Sequence, residues 1–341
     1  MKLSDFDYHL PKELIAQYPL PQRDEARLLV LDRVKGTIQH SVFKDILYYL
    51  EKNDLLVLND TKVLPSRLFG KRISGGRVEV FLVNRKSGST FSAMIKPSRV
   101  RPGEKIIFNG GKLFAEVCAK NEVVFNTGNI DDIYKLGVMP LPPYIKREAE
   151  LCDNIYYQTV YARKEGAVAS PTAGLHFTEE LIEKIKEYGA TFAHVTLHVG
   201  PGTFKPVKLE DVTAHKMDPE YFEIPCDCAQ KLDEAKKEKK RIIAVGTTSL
   251  RAIESYASGV SSGYTDLFIY PGYKFKSADS LLTNFHLPKT TLFMLVCAFC
   301  AAGASATHCG GAGIELAKKA YQEAIDKKYR FYSYGDAMLI L

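Results

Sequence analysis

The feature that most limits what this chain can fold into is an alternation of short apolar runs with helix-like stretches. In DLLVLND, residues 55–58 are four consecutive apolar side chains. Such a run belongs to a strand covered on both faces rather than one. GAVAS ends at Ser170 and leads to a helical pattern over about 179–188. TFAHVTLHV, 191–199, precedes the helix-like CAQKLDEAKKEKK, and RIIAV, 241–245, precedes SLRAIESYA. TDLFIY is expected to add a strand over 266–270, two helices are expected near 292–300 and 314–327, and FYSYGDAMLIL closes the chain. This rhythm predicts an α/β fold: a layered domain with a largely parallel sheet.

One segment breaks the rhythm. RVEVFLV, STFSAMIK, EKIIF, GKLFAEVCAK and EVVFN are short β-prone runs, separated by SGG, KSGS, RPG, NGG and NTGN. Strand signals at such close spacing predict a small antiparallel β-barrel or sandwich. The proline-rich GVMPLPPYIKRE reads as the linker leaving it. The expected organisation is a discontinuous α/β domain, 1–66 and 154–341, with a barrel inserted over 67–153. That insertion holds 15 Lys and Arg against 9 Asp and Glu, so it carries the whole net charge of +6. A basic surplus confined to one folded module is the footprint of a partner with a phosphate backbone. Arg67, Lys96, Arg99 and Arg101 are the candidate contacts, the last three within the dense KPSRVRPGEK.

Other classes are disfavoured. MKLSDFDYHL carries no apolar signal segment, and the longest apolar run, 292–302, is short of the roughly 20 residues a membrane helix needs. Seven cysteines without a framework of spacings suit reduced thiols and a cytoplasmic location. Cys297 and Cys300 sit in the apolar TLFMLVCAFCAA and read as core. His194 and His198 share a strand face about 13 Å apart, too far for one metal ion. No HExxH or paired CxxC set is present, so no metal is expected.

Chemistry concentrates in the loops beyond the strands. Ligands of open α/β sheets bind outside the carboxyl ends of the strands, where glycines admit backbone amides and helices expose free N–H groups. NDTKVLPSR offers Asn59, Asp60 and Thr61; PTAGLHF offers Thr172, Gly174, His176 and Phe177. GPGTFKP offers Gly200, Gly202 and Thr203, beside His198; GTTSLR offers Gly246, Thr247, Thr248 and Arg251; TNFHLP offers Asn284 and His286. Any one loop could be turn chemistry alone; the set points to one composite site. His176 lies two residues before Thr178, a helix cap, and histidine suits acid–base work near neutrality. Asp336, in SYGDAM, is a carboxylate set among tyrosines.

LLVLNDTKVLPSRLFG, LPPYI, YQTVYA, PTAGLHFTEEL, TLHVGPGTFKPV, AVGTTSLRAIES, TDLFIYPGY, LLTNFHLPKTTLFMLV and YRFYSYGDAMLI together resemble the S-adenosylmethionine:tRNA ribosyltransferase-isomerase family, in order and over the whole chain. The resemblance implies a step of queuosine synthesis. The ribosyl part of S-adenosylmethionine would be transferred and isomerised onto 7-aminomethyl-7-deazaguanine at the wobble position of tRNA, giving epoxyqueuosine, adenine and methionine. It implies S-adenosylmethionine as co-substrate with no recycled cofactor, tRNA as partner, no membrane, and a monomer. Ser170 and Asp218 depart from the family's usual alanine and histidine, the 304–313 segment is longer, and the chain has no tryptophan. The reaction needs a base near the carbon beside the sulfonium and an acid for the departing adenine. His176 and His198 are the candidates for those roles, with Asp336 and Asp60 as charge partners. Two other classes stay open at this level: an RNA-binding module without catalysis, and an enzyme of free nucleosides.

Overall fold

In a computed structural model, residues 1–204, 207–302 and 311–341 are described. A nine-stranded sheet runs, edge to edge, through Ser262–Thr265, Glu220–Glu223, Thr191–Leu197, Leu55–Asn59, Ile242–Val245, Ser280–Asn284, Ala337–Ile340, Arg27–Asp32 and Thr37–Val42. Its central four strands, Thr191–Leu197 to Ser280–Asn284, are mutually parallel. Ala337–Ile340 runs antiparallel to Ser280–Asn284 and parallel to Arg27–Asp32.

The unbroken apolar run at 55–58 has a direct cause. Leu55 and Val57 pack with Cys228, Leu232, Leu250 and Phe293 on one face, while Leu56 and Leu58 pack with Phe43, Phe177, Leu181 and Ile185 on the other. Burying each such side chain is worth about 1.5–3 kcal/mol, so a strand with two covered faces cannot tolerate alternation. The helix Glu179–Tyr188 starts where expected: the Thr178 hydroxyl accepts the Leu181 amide at 3.1 Å, and Gly189 ends it in the left-handed region. Cys297 and Cys300 are buried in the helix Thr291–Cys300, burial raising both thiols, Cys300 to about 12.

The barrel consists of Arg67–Arg72, Arg77–Ser87, Thr90–Lys96, Lys105–Phe108, Leu113–Ala119 and Glu122–Phe125, closed by pairing of the first with Lys105–Phe108. Leu68, Val80, Phe91, Ile106, Val117 and Val123 fill its interior. The strand Gly137–Val138 leaves it by pairing back onto Arg67 and Leu68. The proline-rich segment after it is not a free spacer: Met139, Leu141, Tyr144 and Ile145 pack with Tyr157, Leu175, Tyr332 and Tyr334.

Two expected strands are corrected. Of GAVAS, residues 168–170 have no regular structure, and the strand Lys164–Ala167 pairs with Thr61–Val63 in a separate two-stranded sheet. The other is the strand expected over 266–270. The strand in that region is Ser262–Thr265, an antiparallel edge, and 266–270 has no regular structure. Its apolar residues serve the core instead: Ile269 is buried, and the Leu267 carbonyl accepts a bond from Arg251 at 3.0 Å. Of the 304–313 connection, only the residues from Gly311, where the last helix begins, are described.

Candidate active site

The carboxyl ends of the four parallel strands meet on one rim, and the antiparallel strand Ala337–Ile340 brings its own start, with Asp336, to the same rim. Two hollows open there. A small cleft of about 40 Å³ is lined by Ser170, Thr172, Gly246, Thr247, Thr248, Asn284 and His286, with Tyr144, Leu292 and Tyr332 as apolar walls. A larger cavity of about 610 Å³ lies between sheet and barrel, with His198, Gly200, Gly202, Glu220 and Tyr221 on one side and Asn84, Arg85, Phe91 and Tyr134 on the other. Residues 168–170 and 198–200 form the wall between them, contributing Val168, His198 and Gly200 to the cavity and Ser170 and Val199 to the cleft.

The cleft is built on the helix Thr247–Tyr256, which comes directly after Ile242–Val245. Gly246 holds φ 90° at the junction, a conformation that costs a side-chain-bearing residue dearly and lets the helix start at once. Asn59 fixes this corner: its amide donates to the Leu197 carbonyl at 2.9 Å and to Thr248 Oγ1 at 3.1 Å, and its Oδ1 accepts the Leu197 amide at 3.0 Å. Tyr332, which has φ 74°, presents its carbonyl to the Asn284 amide at 3.1 Å. His286 bonds through Nε2 to Thr283 Oγ1 at 2.9 Å, and burial lowers it to about 3, so it is neutral.

His198 stands in the cavity wall. Its Nδ1 lies 2.8 Å from Thr61 Oγ1, its ring stacks on Tyr221 at 5.7 Å, and burial lowers its pKa from the usual 6.5. Gly200 donates its amide to Glu220 at 2.8 Å, and Gly202 faces Asp218 so closely that a Cβ would meet the carboxylate at 2.3 Å. The side chain of Thr203 is outside the described residues.

The remaining candidates take framework positions. His176 is buried behind the cleft, against Phe43; its Nε2 accepts the Asn284 amide at 3.2 Å. Burial, then the charges of Arg330 and Arg23, lower it to about 3. Gly174 is crowded by Tyr161, whose hydroxyl a Cβ would meet at 1.9 Å, and Phe177 is fully buried in the core. Asp60 accepts Thr196 Oγ1 at 2.7 Å and Arg163 at 3.0 Å. Arg251 is buried in an ion pair with Glu220, its guanidinium turned from the cleft toward the strand Glu220–Glu223. Asp336 accepts the amides of Arg27 at 3.0 Å and Arg330 at 2.7 Å and pairs with the Arg27 guanidinium.

The sequence profile described as "Queuosine biosynthesis protein" matches residues 3–340. The chain belongs to that family. Two relatives of this queuosine biosynthesis protein, from Sulfurihydrogenibium sp. and Aquifex aeolicus, are named S-adenosylmethionine:tRNA ribosyltransferase-isomerase. They are 51% and 49% identical to it, each alignment covering 100% of both chains. The crystal structure of S-adenosylmethionine tRNA ribosyltransferase from Thermotoga maritima matches 99% of this chain and 100% of that one at 36% identity, with a TM-score of 0.56.

On the barrel of this family member, Lys96, Arg99 and Arg101 are exposed. Arg67 pairs with Glu79 at 3.2 Å over Phe81, beside a groove of about 250 Å³ that Lys96 and Met94 also line. Sequence reasoning misses Tyr144, Tyr332, Ser170 and Glu220 as site residues. Tyr144 and Tyr332 lie in the motifs LPPYI and FYSYGDAM, which read as linker and flank. Nothing local marks Glu220, whose partner lies 31 residues away.

Proposed function

We propose that this protein transfers and isomerises the ribosyl part of S-adenosylmethionine onto 7-aminomethyl-7-deazaguanine at the tRNA wobble position, with adenine and methionine as leaving products and epoxyqueuosine as the modified base. The observation that carries this reading is the 610 Å³ cavity where the strand ends meet the basic barrel. It has room for a nucleoside and an extruded base, and it carries titratable groups on one wall only a short step from the cleft.

In this reading His198 is the acid–base group. Burial keeps its imidazole neutral, so it is ready to take the proton from the carbon beside the sulfonium. Thr61 and Tyr221 hold the ring in one orientation, which spares the reaction the entropy of finding it. Glu165, Asp218 and Glu220 bring carboxylates to the cavity, Glu165 paired with Lys62 at 3.0 Å and Glu220 with Arg251. His176 acts through Asn284, and Asp336 holds the Arg27 and Arg330 segments around them. Asp60 anchors Arg163 at the rim.

The barrel, 67–153, serves as a clamp on the anticodon arm through Lys96, Arg99 and Arg101, and the wobble base leaves its stack to enter the cavity. The enzyme works as a cytoplasmic monomer with S-adenosylmethionine as co-substrate and no recycled cofactor. Among the described residues no helix is long and apolar enough to cross a membrane. The test is incubation with S-adenosylmethionine together with either tRNA bearing the precursor base or the free precursor nucleoside. Adenine release that requires this tRNA is the expected result; release with free nucleoside alone, or none with either, removes the proposal.

A further inference from the structure

The 40 Å³ cleft is too small for a nucleoside, yet its chemistry is specific. The first turn of the ten-residue helix Thr247–Tyr256 opens onto it, with amides that have no partner inside the helix and a positive dipole end. A group with negative charge is favoured there. Two buried acceptors lack partners on the same walls. Asn284 Oδ1 is one: the side chain is 1% exposed, and its amide nitrogen is pinned by the Tyr332 carbonyl at 3.1 Å and His176 Nε2 at 3.2 Å. Both of these accept, so the amide cannot turn over, and Oδ1 is left facing a donor that must come from elsewhere. Ser170 Oγ, in a residue 4% exposed, is the second. A buried polar atom without a partner costs about 1–3 kcal/mol.

The described lining contains no Lys, Arg, Asp or Glu, and His286 is held neutral. A wholly anionic guest such as phosphate would lose its hydration without a counter-charge. A net-neutral guest with an anionic end and a cationic donor end suits both features. By water-sized volume the cleft admits about three waters, or the five heavy atoms of an amino acid's charged head. Tyr144 and Tyr332, ring centroids 3.9 Å apart, line it side by side.

We infer that this cleft is an α-amino-carboxylate subsite. It takes the methionine end of S-adenosylmethionine, with the carboxylate on the amides of the Thr247 turn and the ammonium on Asn284 Oδ1 and Ser170 Oγ. The sulfonium then lies beside the tyrosine rings of the cleft, whose faces attract cations. Arg251, paired with Glu220, takes no part in holding the carboxylate. The assignment rests on the proposed reaction for the identity of the amino acid, and it makes free L-methionine a ligand in its own right.

The probe is L-methionine, titrated calorimetrically into the full chain without tRNA, with methioninamide, N-acetylmethionine and inorganic phosphate as comparisons. Saturable binding of methionine is expected, displaced by S-adenosylmethionine, and at least about tenfold weaker for each comparison compound, the range for losing a charge-assisted bond. Asn284→Ala should weaken methionine about tenfold or more and Ser170→Ala about fivefold, with melting curves checking that each variant is folded. Equal affinity for methioninamide or N-acetylmethionine, no methionine binding, or unchanged affinity in both folded variants overturns the assignment. Adenine release is read separately. Methionine binding without release leaves the subsite and removes the reaction; release without methionine binding does the reverse.

Discussion

Asp153 offers the sharpest quantitative test of how the barrel's exit is fastened to the catalytic rim. Its side chain is fully buried and accepts four bonds: two from Arg147, at 2.7 and 2.8 Å, one from the Tyr334 hydroxyl at 2.6 Å and one from the Glu150 amide at 2.7 Å. Tyr334 in turn belongs to the segment that leads into Asp336. Asp153→Asn keeps the shape and removes the charge, leaving the Arg147 guanidinium, only 12% exposed, with the exposed Glu150 carboxylate at 4.0 Å as its remaining ion pair. Breaking a buried pair on one side costs about 3–5 kcal/mol, and partial exposure of Arg147 sets the estimate at the lower end, about 3 kcal/mol. The unfolding entropy of a 341-residue chain is about 0.7 kcal/mol/K, so melting should fall by about 4 °C. The pH dependence has a definite sign. Burial pushes the carboxyl up, but the bonds from Arg147 and Tyr334 outweigh it and hold it below the usual 3.8. Its stabilisation is therefore complete above the unfolded value and is lost as pH falls through the lower folded one. Scanning calorimetry from pH 7 downward should show the gap between wild type and variant closing in acid. Melting within 1 °C of wild type at pH 7 would refute the reasoning, as would a gap that widens in acid. Arg147→Met with Asp153→Leu should recover part of the loss, since replacing both partners by apolar groups is often neutral.

The same geometry sets three further outcomes. Gly174→Ala drives a methyl to within 1.9 Å of the Tyr161 hydroxyl and should cost about 1–3 kcal/mol, read by denaturant unfolding; a neutral result would mean that the turn after Pro171 yields easily. His198→Gln should reduce adenine release by about 100-fold or more, and in the wild type the acid limb of the pH–rate profile should lie below 6.5, because burial holds the imidazole neutral there. Reversing charge at Arg99 and Arg101 together should weaken tRNA binding and flatten its salt dependence by a slope of about 2 or more; unchanged affinity across a salt series would move the clamp elsewhere.

The parts of the fold that local physics determines are legible in the sequence. Thr178 before two glutamates announces a helix start, and the barrel strands are punctuated by their own glycines. The stretch at 266–270 misleads because aromatic and β-branched residues look alike whether they pair or merely pack; here Leu267 and Ile269 pack. Several strands escape sequence reading, among them Arg27–Asp32, Thr37–Val42, Glu220–Glu223 and Ser280–Asn284, the last because its TNFH end looks like a loop when its neighbour in the sheet, Ala337–Ile340, is more than fifty residues on. The site is visible as a set of loops but not as two hollows. Which side of the 168–170 and 198–200 wall a residue faces is decided by the barrel's placement, which no local pattern encodes. Arg251 and Asp336 show the same limit: each looks available for a ligand because its partner, Glu220 or Arg27, is remote in sequence.

The pairing of Val138 with Arg67 and of Gly137 with Leu68 means that the chain enters and leaves the barrel through adjacent, hydrogen-bonded positions. The two cut ends would lie about 5 Å apart, the spacing of neighbouring strands. A short turn could bridge them, so the module is attached like a bud on a stalk. Selection is free to enlarge or trim the parts of it that face away from the cavity without rethreading the sheet below, while Asn84, Arg85, Phe91 and Tyr134 keep their places in the shared wall.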